Sequence, residues 1–153
     1  MITDRTAQDV ARWKELRDKG WVKMSPAEQS EWMGEMKGRY AHTDMNRVES
    51  AVEALSARFV ESGYLDTHLT VKTNWNLWSV PTMADMVRYL GNVRTLRELV
   101  PTYPTTPDIP DGTPKMDHNL ANDIEQILVD LDNILSQIPQ GYYYAGEIMA
   151  GEV

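Results

Sequence analysis

Two stretches of the chain, residues 43–62 and 119–138, repeat apolar residues every three or four positions. This spacing places the apolar side chains on one face of an α-helix. The first stretch carries Met45, Val48, Val52, Leu55 and Phe59. The second carries Leu120, Ile124, Ile127, Leu131, Ile134 and Ile138. Both are predicted to be long helices that face a core.

Shorter patterns predict three further helices. Residues 3–18 form an amphipathic stretch that Gly20 would end, and the capping box SPAE at residues 25–28 opens a second helix. Pro81 precedes another long helix, whose predicted core stripe is Met83, Met86, Leu90 and Val93. The sequence therefore predicts an all-α fold, a helical bundle of about five helices with three long ones at its centre.

Three other segments lack a helical period. Residues 65–80 are predicted to be a loop or short extended segment that carries Trp75 and Trp78. Residues 101–114 contain five prolines and predict a rigid crossover between helices. Residues 141–153 combine glycines with tyrosine and β-branched residues, which favours an extended tail or a short β ribbon. We therefore divide the chain into a helical domain, 1–140, and an extended docking tail, 141–153.

Composition excludes several classes of function. The net charge is −8 and the fifteen Lys and Arg residues are scattered along the chain, so a nucleic-acid partner is not expected. The absence of cysteine removes disulfides and thiolate metal sites. No apolar run approaches the ~20 residues that cross a bilayer, and the charged start does not resemble a secretory signal. We expect synthesis in the cytoplasm and no membrane partner.

A four-residue pattern occurs twice, as NRVE at residues 46–49 and NDIE at 122–125. One interpretation brings Glu49 and Glu125 together as a catalytic or metal-binding carboxylate pair. The other makes Asn46, Glu49, Asn122 and Glu125 structural polar caps, which satisfy free backbone N–H groups near helix starts and bond across to neighbouring chain. The second fits both copies, so we predict no catalytic residues, metal or other cofactor.

The aromatic residues allow two interpretations. Trp75 and Trp78, together with the tyrosines at 142–144, could form a platform for sugar rings. Alternatively, the tryptophans could anchor their loop by burial, which is the commoner role of such residues. In the tail, an extended strand could pair with a partner through its backbone and be selected by alternate side chains. The partner-binding side chains would then be Tyr142, Tyr144, Ile148 and Val153.

Four motifs give the chain a family resemblance. They are T-D-x-N-R-x-E at residues 43–49, K-T-x-W-x-x-x-x-x-P-T at 72–82, A-N-D-I-E at 121–125 and Y-x-G-E at 144–147. In this combination the chain resembles small proteins encoded in the tail and baseplate regions of phages and prophages of Firmicutes. The resemblance implies a non-enzymatic virion structural protein that assembles with other tail proteins and with itself. The alternative is a component of the tail tip that binds carbohydrate on the host surface.

Overall fold

A computed structural model describes the backbone of residues 1–149 and the side chains of residues 1–138. Within that part the chain is all-helical and has no strand, as predicted. The five helices are α1 (Ala7–Lys19), α2 (Pro26–Met33), α3 (His42–Glu61), α4 (Met83–Glu98) and α5 (His118–Met149). A short 3-10 turn at Trp21–Lys23 joins α1 to α2, and none of the described helices is long and apolar enough to cross a membrane.

Local sequence signals set the helix ends. Capping boxes open α1, α2 and α4, in which Thr6, Ser25 and Thr82 each bond the residue three positions ahead. Gly20 ends α1 with a φ of 75°, a left-handed value that glycine adopts without strain. Apart from the end of α5, the helices therefore begin and end within a few residues of the positions that the sequence predicts.

The three long helices α3, α4 and α5 contact one another and hold most of the buried apolar side chains. Their fully buried members include Val48 and Phe59 from α3, Leu90 and Val93 from α4, and Leu131 from α5. The connector after α4 also contributes buried groups. Thr106 donates a hydrogen bond to Asp130 of α5 at 2.7 Å, and Ile109 is 8% exposed. The proline-rich segment is therefore packed against the helices.

The end of α5 differs from the sequence prediction. Extended backbone was expected from residue 141, but residues 141–149 continue α5 as far as Met149. The helical stripe explains the difference, because its spacing of three and four continues through Tyr142, Ala145 and Met149 despite the intervening glycines. The predicted docking side chains Tyr142, Tyr144 and Ile148, and the whole of Val153, lie outside what the structure describes.

Candidate docking surface and its polar support

Asn46 of α3 fixes the backbone of one residue in the loop before α4. Its side-chain oxygen accepts the N–H of Trp75 at 2.8 Å, and its side-chain nitrogen donates to the carbonyl of Trp75 at 2.9 Å. The Trp75 ring is 3% exposed, and the ammonium of Lys72 lies 3.6 Å from the ring centroid. Trp75 is therefore held by both its backbone and its side chain.

Glu49, one turn further along α3, fixes the same loop. It accepts the N–H of Lys72 at 3.1 Å and the indole N–H of Trp75 at 3.4 Å. Arg88 of α4 donates to both of its carboxylate oxygens, at 2.7 and 2.6 Å. Since the Glu49 side chain is only 1% exposed, this bidentate pair neutralises a carboxylate that would otherwise be buried with its charge unpaired.

The second copy of the pattern fixes the N-terminal segment in the same way. Asn122 of α5 accepts the N–H of Arg5 at 3.0 Å and donates to its carbonyl at 2.9 Å. Glu125 accepts the N–H of Ile2 at 2.5 Å. Arg5 and Arg47 both donate to the Glu125 carboxylate, at 2.7 and 2.9 Å, and both also pair with Asp44.

The two copies are geometrically equivalent. His42 and His118 are the first residues of α3 and α5, so each asparagine is the fifth residue of its helix and each glutamate the eighth. In both copies the glutamate accepts a backbone N–H three residues before the one that the asparagine holds, since 75 − 72 = 3 and 5 − 2 = 3. The pattern NxxE therefore serves one purpose twice, which is to attach a non-helical segment to a long helix.

These four residues do not cap their own helices, which corrects part of the prediction. They lie too deep, because only the first four N–H groups of a helix lack an intrahelical partner. The start of α3 is instead closed by Asp44, which accepts the N–H of Ala41 at 2.7 Å. Asp117 performs the corresponding role for α5 by accepting the N–H of Leu120 at 2.9 Å. The predicted bonds across to neighbouring chain are present in both copies.

The surroundings of Glu125 favour its ionised form. Burial raises its pKa, but hydrogen bonds from Arg47, Ile2 and Arg5 outweigh burial, and the pKa lies below its usual value. Glu49 and Glu125 each have their own arginine partners rather than each other as hydrogen-bond partners. Among the described residues, no group of three or more His, Asp or Glu side chains is arranged to hold a metal.

The loop that Asn46 and Glu49 fix presents an exposed tryptophan. Residues 76–79 form a turn in which Ser79 donates its N–H to the Asn76 carbonyl at 3.0 Å. The Asn76 side chain accepts the N–H of Trp78 at 2.9 Å, and the Ser79 hydroxyl accepts the N–H of Asn76 at 3.0 Å. Trp78 is nevertheless 90% exposed. The prediction that a buried tryptophan anchors the loop is therefore confirmed for Trp75 and wrong for Trp78. Because only one of the two rings is exposed, they do not form a shared aromatic platform.

Trp78 belongs to a group of strongly exposed apolar residues, which we call the apolar patch. Its members lie in the turn, between the turn and α4, and on the first two turns of α4: Leu77, Trp78, Val80, Met83 and Val87. Met83, predicted to be a core residue, is 68% exposed. One signal in the sequence could have revealed the surface, because residues 73–84 contain no charged side chain although a quarter of the chain is charged.

A groove lies beside the apolar patch. It has a volume of about 360 Å³, and Leu77 lines it together with Trp32, Met33 and Met36 from the other side. Met33 is itself strongly exposed. The patch and the groove therefore form one surface on which apolar side chains from two distant parts of the sequence meet.

No family model, curated protein or solved structure matches the chain.

Proposed function

We propose that the protein is a non-enzymatic structural component of a phage virion, associated with the tail or baseplate, and that the apolar patch is its docking surface for another tail protein. The observation that carries this proposal is the exposure of Trp78 on an ordered turn. Large aromatic side chains dominate the energetics of protein interfaces, where tryptophan is enriched among the residues that contribute most. Here a tryptophan is exposed although three hydrogen bonds and the Trp75 anchor restrict its backbone.

Burial of this surface would contribute substantially to binding. A tryptophan buries roughly 150–250 Å² when covered, which corresponds to about 4–6 kcal/mol of gross apolar transfer before the costs of association. A preorganised turn loses little conformational entropy on docking, so a larger part of the transfer free energy contributes to the affinity. The uncharged character of residues 73–84 suits a partner with an apolar pocket rather than one selected by charge.

The sequence motifs support the biological setting. They resemble those of phage tail and baseplate proteins, so we place the protein in the virion tail after synthesis in the bacterial host cytoplasm, with other tail proteins as partners and neither nucleic acid nor membrane. We also propose that α3, α4 and α5 form the core of a helical bundle that residues 101–114 cross. Their mutual contacts and the Thr106–Asp130 bond support that arrangement.

The proposal is tested by complementation of a phage that lacks this gene. We expect Trp78→Ala to fold normally but to be depleted from purified particles, measured by quantitative mass spectrometry, and assembled tails to be fewer by electron microscopy. Trp21→Ala is the matched control, because Trp21 is another exposed tryptophan, at 47%, outside the apolar patch. Normal incorporation of Trp78→Ala, or equal loss of both variants, would refute the patch as the docking surface.

The carbohydrate alternative keeps one supporting observation, the exposed ring of Trp78. It makes a different prediction in the same experiment. If Trp78 contacts host sugar, particles that carry Trp78→Ala should assemble in normal number and contain the protein, but should adsorb poorly to host cells. Adsorption is measured as the fraction of particles that remain free after mixing with the host.

The C-terminal segment 141–153 remains a proposed second docking element, with Tyr142, Tyr144, Ile148 and Val153 as the contacting side chains. Light scattering on the full chain and on a chain that ends at Gln140 tests this role. An oligomer that falls to a monomer on truncation would support self-assembly through the segment. Equal oligomeric states for the two chains would show that the segment does not mediate self-association.

A further inference from the structure

A second cavity, away from the apolar patch, has the character of an anion site. Its volume is about 300 Å³, and it lies where α1, residues 37–40 and the start of α5 meet. Five of the fifteen Lys and Arg residues of the chain line it, namely Arg5, Lys14, Lys37, Arg39 and Lys115. Asp117 is the one acidic side chain in its lining, although the chain has 23 acidic residues.

Several of these cations have no protein partner. Arg5 pairs with Asp44 and Glu125, and Lys37 pairs with Asp4. Lys14, Arg39 and Lys115 make no ion pair or side-chain hydrogen bond with any residue in the described part of the chain. Within the described residues, nine of the fifteen Lys and Arg side chains form ion pairs, and three of the six that form none line this one cavity. The cavity therefore offers uncommitted positive charge to an external anion.

Two buried N–H groups belong to residues that line the same cavity. Arg5 Nε, on a residue that is only 4% exposed, and Trp13 Nε1 have no hydrogen-bond acceptor among the described residues. Buried donors are rarely left unpaired, because an unmet donor costs about 1–3 kcal/mol. The cavity also contains the first residue of α5, His118, where the helix dipole favours negative charge. An acceptor in the cavity would offer these groups a partner.

The lining also contains apolar side chains. Val10, Trp13 and Met116 face the same space as the cations. The volume is at the small end of ligand pockets, which begin at about 300 Å³. The cavity therefore suits a compact ligand that has both a charged group and an uncharged body, rather than an extended polyanion, which the net charge of −8 would repel.

We propose that this cavity binds a small organic phosphate, with Lys14, Arg39 and Lys115 around the phosphate and Trp13 and Met116 against the organic body. A phosphate monoester carries up to two negative charges and offers three acceptor oxygens, which matches three cations that line one cavity better than a single carboxylate does. The site shares no residue with the apolar patch itself, although Lys37 and Arg39 also line the groove beside that patch. The proposal does not depend on the docking role.

The test is a titration of the full-length protein with phenyl phosphate, followed by the backbone amide signals of residues 14, 115 and 118 in nuclear magnetic resonance spectra. We expect saturable shifts at these residues and weaker binding of inorganic phosphate and of phenol, which each supply only half of the ligand. Failure to saturate by ~10 mM would overturn the proposal. If inorganic phosphate bound with equal affinity, the proposed contact between the cavity and the organic part of the ligand would be refuted.

A matched pair of variants separates a defined site from general charge attraction. Lys115→Gln should weaken phenyl phosphate binding about tenfold, the scale of a lost charge-assisted hydrogen bond. Lys23→Gln removes another exposed lysine, one that lies outside the cavity, and should leave affinity unchanged. Both are surface substitutions, and unchanged melting temperatures would show that the fold is kept. Equal weakening by both variants would refute the site.

Discussion

At the scale of single residues, Asn46 and Asn122 each join two parts of the chain that are far apart in sequence. Each side-chain amide both accepts from and donates to the backbone of one residue, Trp75 for Asn46 and Arg5 for Asn122. A typical hydrogen bond contributes about 1 kcal/mol net, and loss of the amide would leave both partner groups without a bond. The contribution of each asparagine therefore comes from two bonds to one residue.

We expect Asn46→Ala and Asn122→Ala each to lower the free energy of unfolding by about 2 kcal/mol, since two backbone groups lose their partner. Urea denaturation measures the change. Asn119→Ala is the control, because Asn119 is exposed near the start of α5 and its side chain has no hydrogen bond within the described residues. A loss below ~0.5 kcal/mol for either of the first two variants would contradict the role assigned to it.

A second prediction at this scale concerns the buried carboxylate of Glu49. Glu49→Gln should destabilise the protein by about 2 kcal/mol, because removal of one partner from a buried ion pair leaves the other charge uncompensated. The effect is moderated because Arg88 is partly exposed. Glu53→Gln, on the exposed side of α3, should change stability little. Thermal unfolding of the two variants side by side tests this, and equal melting temperatures would refute it.

The sequence predicts which residues of the NxxE pattern are structural but not what they hold. The spacing shows that Asn46 and Asn122 occur at equivalent places on two helices, and the prediction that they bond across to neighbouring chain is confirmed. Their role as caps was wrong because the carboxylates that close the helix starts lie nearer the ends: Asp44 is the third residue of α3, and Asp117 directly precedes α5. The partner segments are set by tertiary contacts between residues 29 and 117 positions apart.

At the scale of elements, the positions of the five helices follow from short-range signals. Capping boxes and apolar spacing act within a turn or two, and the sequence contains both. The exposure of Met83 could not be read from the same spacing, because periodicity assigns residues to a face and only the neighbours decide whether that face is covered. The length of α5 was missed because Gly141 and Gly146 lower the helix propensity of a stretch whose apolar spacing continues.

Two glycines provide a prediction about how elements pack. A Cβ on Gly38 would lie 2.0 Å from the carbonyl oxygen of Asp9 in α1, so backbone would have to move. We expect Gly38→Ala to destabilise the protein by about 3 kcal/mol, as overpacking does. Gly91→Ala is the counterpart within α4, where nothing lies within 4 Å, and it should stabilise by about 1 kcal/mol. Urea denaturation measures both, and shifts of the same sign would contradict the packing described.

At the scale of the whole molecule, the distribution of ion pairs predicts the response to acid. The pKa of Glu125 is lowered in the folded state from an ordinary value of 4.5. Its contribution to stability is therefore complete above about pH 4.5 and is lost as the pH falls through the lower folded pKa, because the unfolded chain then binds the proton more readily. Hydrogen bonds from Lys19 and Ser25 lower the pKa of Glu28 to about 2, so this carboxylate also makes the folded state less stable in acid.

We therefore expect the urea midpoint of the wild-type protein to fall between pH 5 and pH 3, and to fall less steeply in Glu125→Gln. The glutamine variant should already be less stable at pH 7, by about 3 kcal/mol, since Arg5 and Arg47 lose their shared carboxylate. Glu53→Gln should keep the wild-type pH dependence. Parallel curves for wild type and Glu125→Gln would show that this carboxylate does not couple folding to pH.

Of the two surfaces that carry proposals, one could be found only from the fold. The cavity gathers residues from α1, from the segment before α3 and from the start of α5, and nothing in the separate sequences of these segments indicates that their cations converge. The apolar patch was partly visible in the uncharged run of residues 73–84. The difference is physical, because one surface is local in sequence and the other is created by contacts between distant segments.

The asparagine bonds have a further consequence for solubility. Extended backbone with free N–H and C=O groups is a template on which other chains can add as β-strands, and proteins commonly cover or interrupt such edges. Around Arg5 and Trp75 this chain satisfies those groups with asparagine side chains from neighbouring helices, where a β protein would use a second strand. Loss of either asparagine would thus expose a nucleus for β-aggregation in addition to weakening the fold.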